Sequence, residues 1–319
     1  MKSFFASLFP AGPLVPPMRR VLVLHGYGQN GRILSKRMQA LRQECGKDCE
    51  FVFLDAPHIL RGANSKHYED PLAVMEVFSD ESDPDQMLRA WYSADEKKRF
   101  RGIERTLPYL RDYLAHEKPF NAILAFSQGA VLAGALTALL ERPELAAEFD
   151  FLVDGQMPHP PLYVAESSAQ SSLSLAHATT LLACVRLFSE FAVFCSGSLP
   201  RDHRLLRIFD ATSHTPAGLH TRSLHVIGNS DVVVLPEHSQ LLYNASTNAR
   251  AVYHTGGHFV PSAPAWRTFL RNYLISPNDE EAEIVPQPPT ADHVQVLSLV
   301  SAHTLSGLDT WLVPRMAGG

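Results

Sequence analysis

Ala122-Ile123-Leu124-Ala125-Phe126-Ser127-Gln128-Gly129-Ala130 is the stretch on which the reading of the fold turns. Its first five residues form an apolar run too short for a helix and closed by Ser and Gly, the pattern of a strand buried on both faces. The run passes straight into a small-x-Ser-x-small pentapeptide, Ala125 to Gly129. That is the form of a nucleophile elbow, a sharp strand-to-helix turn that lifts a serine hydroxyl above a sheet. The turn packs so tightly that the positions flanking the serine must be small. A helix rich in small apolar residues is expected to follow over 131–140.

The same rhythm extends outward. Continuous apolar runs at 21–24, 51–54, 191–195, 224–227 and 251–253 read as further buried strands. Helical spacing lies between them. Leu34, Met38 and Leu41 share a face, as do Ile103, Leu107, Leu110 and Leu114, and a last helix is expected over 266–274. Strands alternating with helices predict a mostly parallel, doubly wound α/β sheet flanked by helices. Two segments break the pattern. Residues 151–190 stand where ~2–6 connecting residues would suffice, and an acidic, Pro-rich stretch after Ser276 reads as linker. The expected organisation is an N-terminal arm at 1–18, one domain at 19–276 interrupted at 151–190, and a loosely ordered linker and tail at 277–319. The interruption reads as a lid over an acyl channel, a disordered insertion or a gene-model artefact.

Composition narrows the classes. The chain has 319 residues, 45% apolar and 19% charged, which is enough to bury a core without disulfide or metal staples. With 33 acidic against 28 basic residues, a nucleic-acid surface has no electrostatic support. No stretch approaches the ~18–20 apolar residues of a membrane span. Cys45, Cys49, Cys184 and Cys195 are too few for a disulfide framework, so a reducing compartment, the cytoplasm or nucleus, is expected. Cys45 and Cys49 lack a second ligand pair, and His254 and His258 are separated by Gly256-Gly257, which opposes a helical metal pair. No metal or cofactor is expected.

A serine nucleophile needs a base and an orienting acid. His258 lies just beyond the last strand, in Gly256-Gly257-His258-Phe259-Val260-Pro261. The order Ser, Asp, His then calls for an acid at a strand's carboxyl end between them. Asp231 meets this after 224–227; Asp202 is the alternative and Asp210 a weaker one. The glycine-rich turn His25-Gly26-Tyr27-Gly28-Gln29-Asn30-Gly31 has two readings. Its Gly-x-Gly-x-x-Gly core, with Asp55 at the next strand's end, imitates a dinucleotide fingerprint. In an elbow enzyme the same turn supplies an oxyanion-hole N–H from Tyr27, with the second from Gln128.

Taken together, 25–27, 125–130, Asp231 and 256–261 resemble the FSH serine hydrolases of the α/β-hydrolase superfamily. That family includes the ovarian-cancer-associated hydrolase and fungal homologues. Stretches 55–58, 89–92, 101–103, 119–124 and 196–197 are similar too, so the likeness runs from about 19 to 275, interrupted at 151–190. It implies an α/β-hydrolase fold, a Ser127–Asp231–His258 triad, and cleavage of a carboxylic ester or thioester through an acyl-Ser127 intermediate. Trp91 and Tyr92 are assigned to the substrate pocket. The expected partner is a small-molecule acyl ester or thioester, free or carrier-bound. The sequence departs from the family at Ala125, where glycine is usual, at Tyr92, where a second Trp is frequent, and at the insertion. A non-catalytic binding module of the same fold and a nucleotide-dependent reductase are the alternatives.

Overall fold

The computed structural model describes residues 18–60, 83, 86–142, 190–210 and 217–287. The expected lid at 151–190 and most of the expected arm and tail lie outside them, apart from Glu190, Met18 and residues 277–287. The chain divides into two compact units, Met1–Val285 and Pro286–Gly319. All the secondary structure described here belongs to the first.

Six parallel strands form the central sheet: β1 (Arg19–Leu24), β2 (Cys49–Leu54), β7 (Ala122–Phe126), β8 (Phe191–Cys195), β9 (Ser223–Gly228) and β10 (Ala249–His254). Their order is β10-β9-β8-β7-β1-β2. Between β2 and β7 run two short antiparallel ribbons, β3 (His58–Ile59) with β4 (Arg89–Ala90) and β5 (Ser93–Ala94) with β6 (Phe100–Arg101).

The continuous apolar runs are explained by burial of both sheet faces. Leu22, Leu24, Ile123, Ala125, Ala192 and Phe194 face one core, covered by α3 (Ile103–His116) and α4 (Gln128–Glu141). Val21, Val23, Leu124, Phe126, Val193, Cys195, Leu224 and Val226 face the other. There α1 (Gly31–Arg37), α2 (Gln39–Cys45) and α7 (Pro264–Ile275) pack. The helical face containing Leu34, Met38 and Leu41 is divided at Met38 into two short helices, yet all three side chains stay buried.

Two further helices are α5 (His203–Leu206) and α6 (Pro236–Asn244). After α7 the stretch read as linker makes a 3-10 turn at Glu280–Glu283. Its Ala282 is fully buried against the second core, and Arg250 donates to the Ala282 carbonyl at 2.7 Å. An acidic composition misses this anchor because one small apolar side chain and one carbonyl make it.

Strand order reverses between β1 and β7, so the turns leaving their carboxyl ends diverge and open a crevice. This is the place where open α/β sheets bind ligands. Here it is bounded by the glycine-rich turn after β1 and by Ser127 after β7.

Candidate active site

Ser127 has φ 55° and ψ −121°, a left-handed conformation that costs a non-glycine residue of order 1–3 kcal/mol. The tension is held by the surroundings. The Ser127 N–H donates to the Cys195 carbonyl at 2.9 Å, and the Ser127 carbonyl accepts the first bonds of α4 from Ala130 and Val131. Gly129 explains the second small position. A Cβ there would lie 2.5 Å from the carbonyl oxygens of both Leu24 and His25, at the end of a central strand. Ala125 is fully buried, so its methyl is accommodated where the family pattern has glycine.

The Ser127 Oγ lies 2.9 Å from His258 Nε2, and His258 Nδ1 lies 2.8 Å from Asp231 Oδ2. The other Asp231 oxygen accepts the backbone N–H groups of Val233 and Val234, each at 2.9 Å. Burial pushes the Asp231 carboxyl upward. Hydrogen bonds from His258 and the Val234 N–H, helped by the Ser196 side chain, outweigh that and leave it below its ordinary value, so it is an acceptor at neutral pH. An ionised carboxylate requires the proton of His258 on Nδ1. Nε2 then presents its lone pair to the serine hydroxyl.

The acid and the base come from separate loops that almost touch. A Cβ on Gly228 would lie 2.5 Å from the Gly257 carbonyl oxygen and 2.7 Å from that of Gly256. Glycine at 228 is therefore what lets the Asp231 turn and the His258 loop close on each other. The Phe126 ring, 4.8 Å from the imidazole between centroids, braces His258 from the strand side.

The glycine-rich turn abuts the nucleophile: a Cβ on Gly26 would lie 3.2 Å from that of Ser127. Two bonds to Arg89 hold the turn, from the Gly28 N–H to the Arg89 carbonyl and from the Arg89 N–H to the Gln29 carbonyl. His25 is fully buried, accepting the Ala56 N–H on Nε2 at 3.0 Å and bonded to the Gly26 carbonyl through Nδ1. Burial pushes its pKa down to about 4, so it stays neutral. Tyr27 follows Gly26 in this turn. Gln128 opens α4, where a first-turn N–H has no intrahelical acceptor. The Gln128 side chain ties that end down, accepting the Trp91 N–H at 2.8 Å and donating to the Tyr92 carbonyl at 2.9 Å.

Trp91 and Tyr92, expected at the substrate pocket, are both buried. Trp91 has no exposed surface, and its indole N–H donates to the His25 carbonyl at 2.8 Å. Tyr92 is buried and stacked on Phe100 with ring centroids 3.8 Å apart. Trp91, through that N–H, supports the turn from behind. The large apolar rings of both residues are drawn into the core, and the tryptophan N–H finds the partner that burial demands.

Asp202, the alternative acid, is fully buried and otherwise engaged. It accepts the Phe100 N–H at 2.7 Å, caps α5 through the Arg204 N–H at 3.0 Å and pairs with the Arg204 guanidinium. Burial raises its carboxyl, but the Arg204 hydrogen bonds and the Phe100 N–H leave it lowered. The dinucleotide reading loses its phosphate donor. Asp55 Oδ1 accepts the Gly31 N–H at 2.7 Å, and Asn30 caps the Ile33 N–H. Among the described residues no cluster of three potential metal ligands occurs, and no helix is long and apolar enough to cross a membrane.

Sequence reasoning quoted Ser196 only within a stretch of family likeness. In the structure its side chain is among the groups that lower the Asp231 carboxyl. The signal available in the sequence was its position directly after a buried strand, at the sheet edge where the nucleophile emerges.

Residues 15–270 match the family model described as serine hydrolase (FSH1). Among curated proteins, Esterase OVCA2 of Danio rerio is 28% identical over 80% of this chain and 96% of its own length. An uncharacterized hydrolase of Schizosaccharomyces pombe is also 28% identical, over 77% of this chain, which spans about half (48%) of that protein. Among solved structures, Zea mays acyl-protein thioesterase 2 aligns with 84% of this chain and 95% of its own at 17% identity and a TM-score of 0.48.

Proposed function

The chain belongs to the FSH1 serine hydrolase family, and from that premise we propose that it hydrolyses a carboxylic ester or thioester through an acyl group carried on Ser127. The observation that carries the reading is the unbroken hydrogen-bonded line Ser127–His258–Asp231, 2.9 and 2.8 Å long.

In the reaction His258 Nε2 takes the Ser127 proton as Oγ attacks the carbonyl carbon. Asp231 keeps the Nδ1–H tautomer and stabilises the imidazolium that forms. The oxyanion is held by the N–H groups of Tyr27 and Gln128, a donor of this kind being worth ~3–4 kcal/mol in the transition state. Collapse expels the alcohol, protonated by His258, or the thiolate, which needs less help. Water activated by the same imidazole then releases the acid and restores Ser127.

The exposed apolar side chains next to two of these residues, Val232 after Asp231 and Phe259 after His258, suit an apolar acyl chain, free or carrier-bound. The three described cysteines are free and buried, in keeping with action in a reducing compartment such as the cytoplasm. A series of p-nitrophenyl esters and acyl-CoA thioesters of increasing chain length tests the proposal. Turnover is expected to rise with chain length over part of the series and to vanish in Ser127→Ala. Turnover unchanged in Ser127→Ala, or absent from the folded wild-type chain, overturns it, the second outcome leaving a non-catalytic binding module.

A further inference from the structure

Among the described residues three non-glycine residues have left-handed backbone: Lys98, in an exposed turn, and two buried serines, Ser127 and Ser196. Ser127 is the elbow. Ser196 stands one strand away, immediately after β8, and is just as buried and just as constrained, with φ 50°. A buried non-glycine residue in this conformation persists only when its surroundings over-determine it, and such residues gather at functional sites.

The residues around it tie the nucleophile to the acid. Cys195, its neighbour, accepts the Ser127 N–H through its carbonyl, while the Ser196 N–H donates to the Val226 carbonyl at 3.0 Å on β9. Asp231 follows that same strand. The next residue, Gly197, seats the turn on α4, since a Cβ there would lie 2.9 Å from that of Ala130. The Ser196 hydroxyl itself forms no well-directed hydrogen bond among the described residues, although it is buried. A buried hydroxyl left in this state calls for an explanation. The acid after β9 supplies one: the Ser196 N–H ties its turn to the strand that leads to Asp231, and its side chain favours the charged form of that carboxyl.

Resting on the triad reading above, we propose that Ser196 is a positioning residue that holds the Asp231 carboxylate in line with His258, its hydroxyl closing fully onto Asp231 as the imidazolium forms. The titratable groups around that carboxylate are His258, bonded to it, and His254, which feels its charge and whose own pKa is lowered by burial.

The test uses the full chain with Ser196→Ala and Ser196→Gly, a p-nitrophenyl ester and Ser127→Ala as control. Ala removes the hydroxyl alone; Gly also relieves the φ strain. Both are expected to lower kcat about tenfold, the scale of one hydrogen bond to a charged group, with KM within about twofold. Asp231, having lost a donor to its ionised form, is expected to protonate at higher pH, so both variants lose activity sooner than wild type on the acid side. Gly is expected to match or exceed wild type in Tm, which separates hydroxyl from strain. Wild-type kcat and an unmoved acid limb in the Gly variant overturn the proposal. The control keeps the two readings apart, because loss of the triad reading shows as activity surviving in Ser127→Ala, whatever the Ser196 variants do.

Discussion

Replacing Asp231 by Asn changes two atoms' chemistry and almost no shape, and the structure says what must follow. The amide oxygen can keep both bonds that Oδ1 accepts from the Val233 and Val234 N–H groups. The amide nitrogen is then directed at His258 Nδ1, 2.8 Å away in the native pair. An NH2 group only donates, so Nδ1 must become the acceptor and the ring proton moves to Nε2. There it faces Ser127 Oγ at 2.9 Å as a donor, and the serine has no base. The imidazolium also loses its counter-charge. Tautomer reversal of this kind is worth about 10⁴ in kcat, roughly 5 kcal/mol, while Tm is expected to stay within a few degrees because both backbone bonds remain. The assay is steady-state hydrolysis of a p-nitrophenyl ester with thermal unfolding of the same samples. Asp202→Asn is the matched control. It weakens a buried pair with Arg204, so it should cost stability, about 1–3 kcal/mol, and leave kcat of the folded fraction within a few-fold. A kcat for Asp231→Asn within tenfold of wild type, or a larger kcat loss in Asp202→Asn, refutes the reasoning.

Gly228→Ala should drive the Asp231 turn away from the His258 loop, because its methyl would meet the Gly257 carbonyl oxygen at 2.5 Å; kcat should fall more than tenfold and Tm by several degrees, both read on the purified variant. Trp91→Phe keeps the buried ring but frees the His25 carbonyl; chemical denaturation should show a loss of ~1–2 kcal/mol, with a lower kcat from a loosened oxyanion turn. The third prediction concerns pH. The folded pKa of His25, about 4, lies below its unfolded 6.5, so the unfolded chain binds the proton first as pH falls. Stability attributable to the neutral buried ring is therefore present above 6.5 and lost between 6.5 and about 4, on the order of 3 kcal/mol. His25→Asn, compared with wild type by denaturant unfolding at pH 7 and 4.5, should be less stable at pH 7 and show a flatter pH dependence.

How much of this was legible in the sequence depends on how local the cause is. Burial of both sheet faces writes itself into the chain as apolar runs, so the buried strands were readable; β10 is longer than its run at 251–253 because Ala249, Arg250 and His254 pair in register without being strongly apolar. The elbow was readable because Gly129 answers to one local constraint, the close approach of the Leu24 and His25 carbonyls. Ser127, His258 and Asp231 were readable from chain order, with Asp202 as the alternative; what no spacing reveals is the Arg204 ion pair that occupies Asp202. For Trp91 and Tyr92 the sequence marks an aromatic pair but not its direction, and for Trp91 that direction is set by the His25 carbonyl just after β1. Ala282 and Ser196 depend on single contacts across the fold, below the reach of any periodicity.

The central claim is that Ser127 carries the acyl group. Intact-mass spectrometry of the protein quenched during turnover of a slowly hydrolysed activated ester tests it most directly, with peptide mapping of the adduct. The account predicts one acyl adduct, on the peptide containing Ser127, absent from a folded Ser127→Ala and accumulating in Asp231→Asn no faster than its reduced kcat. An adduct on another residue, or one that persists undiminished in Ser127→Ala, contradicts it.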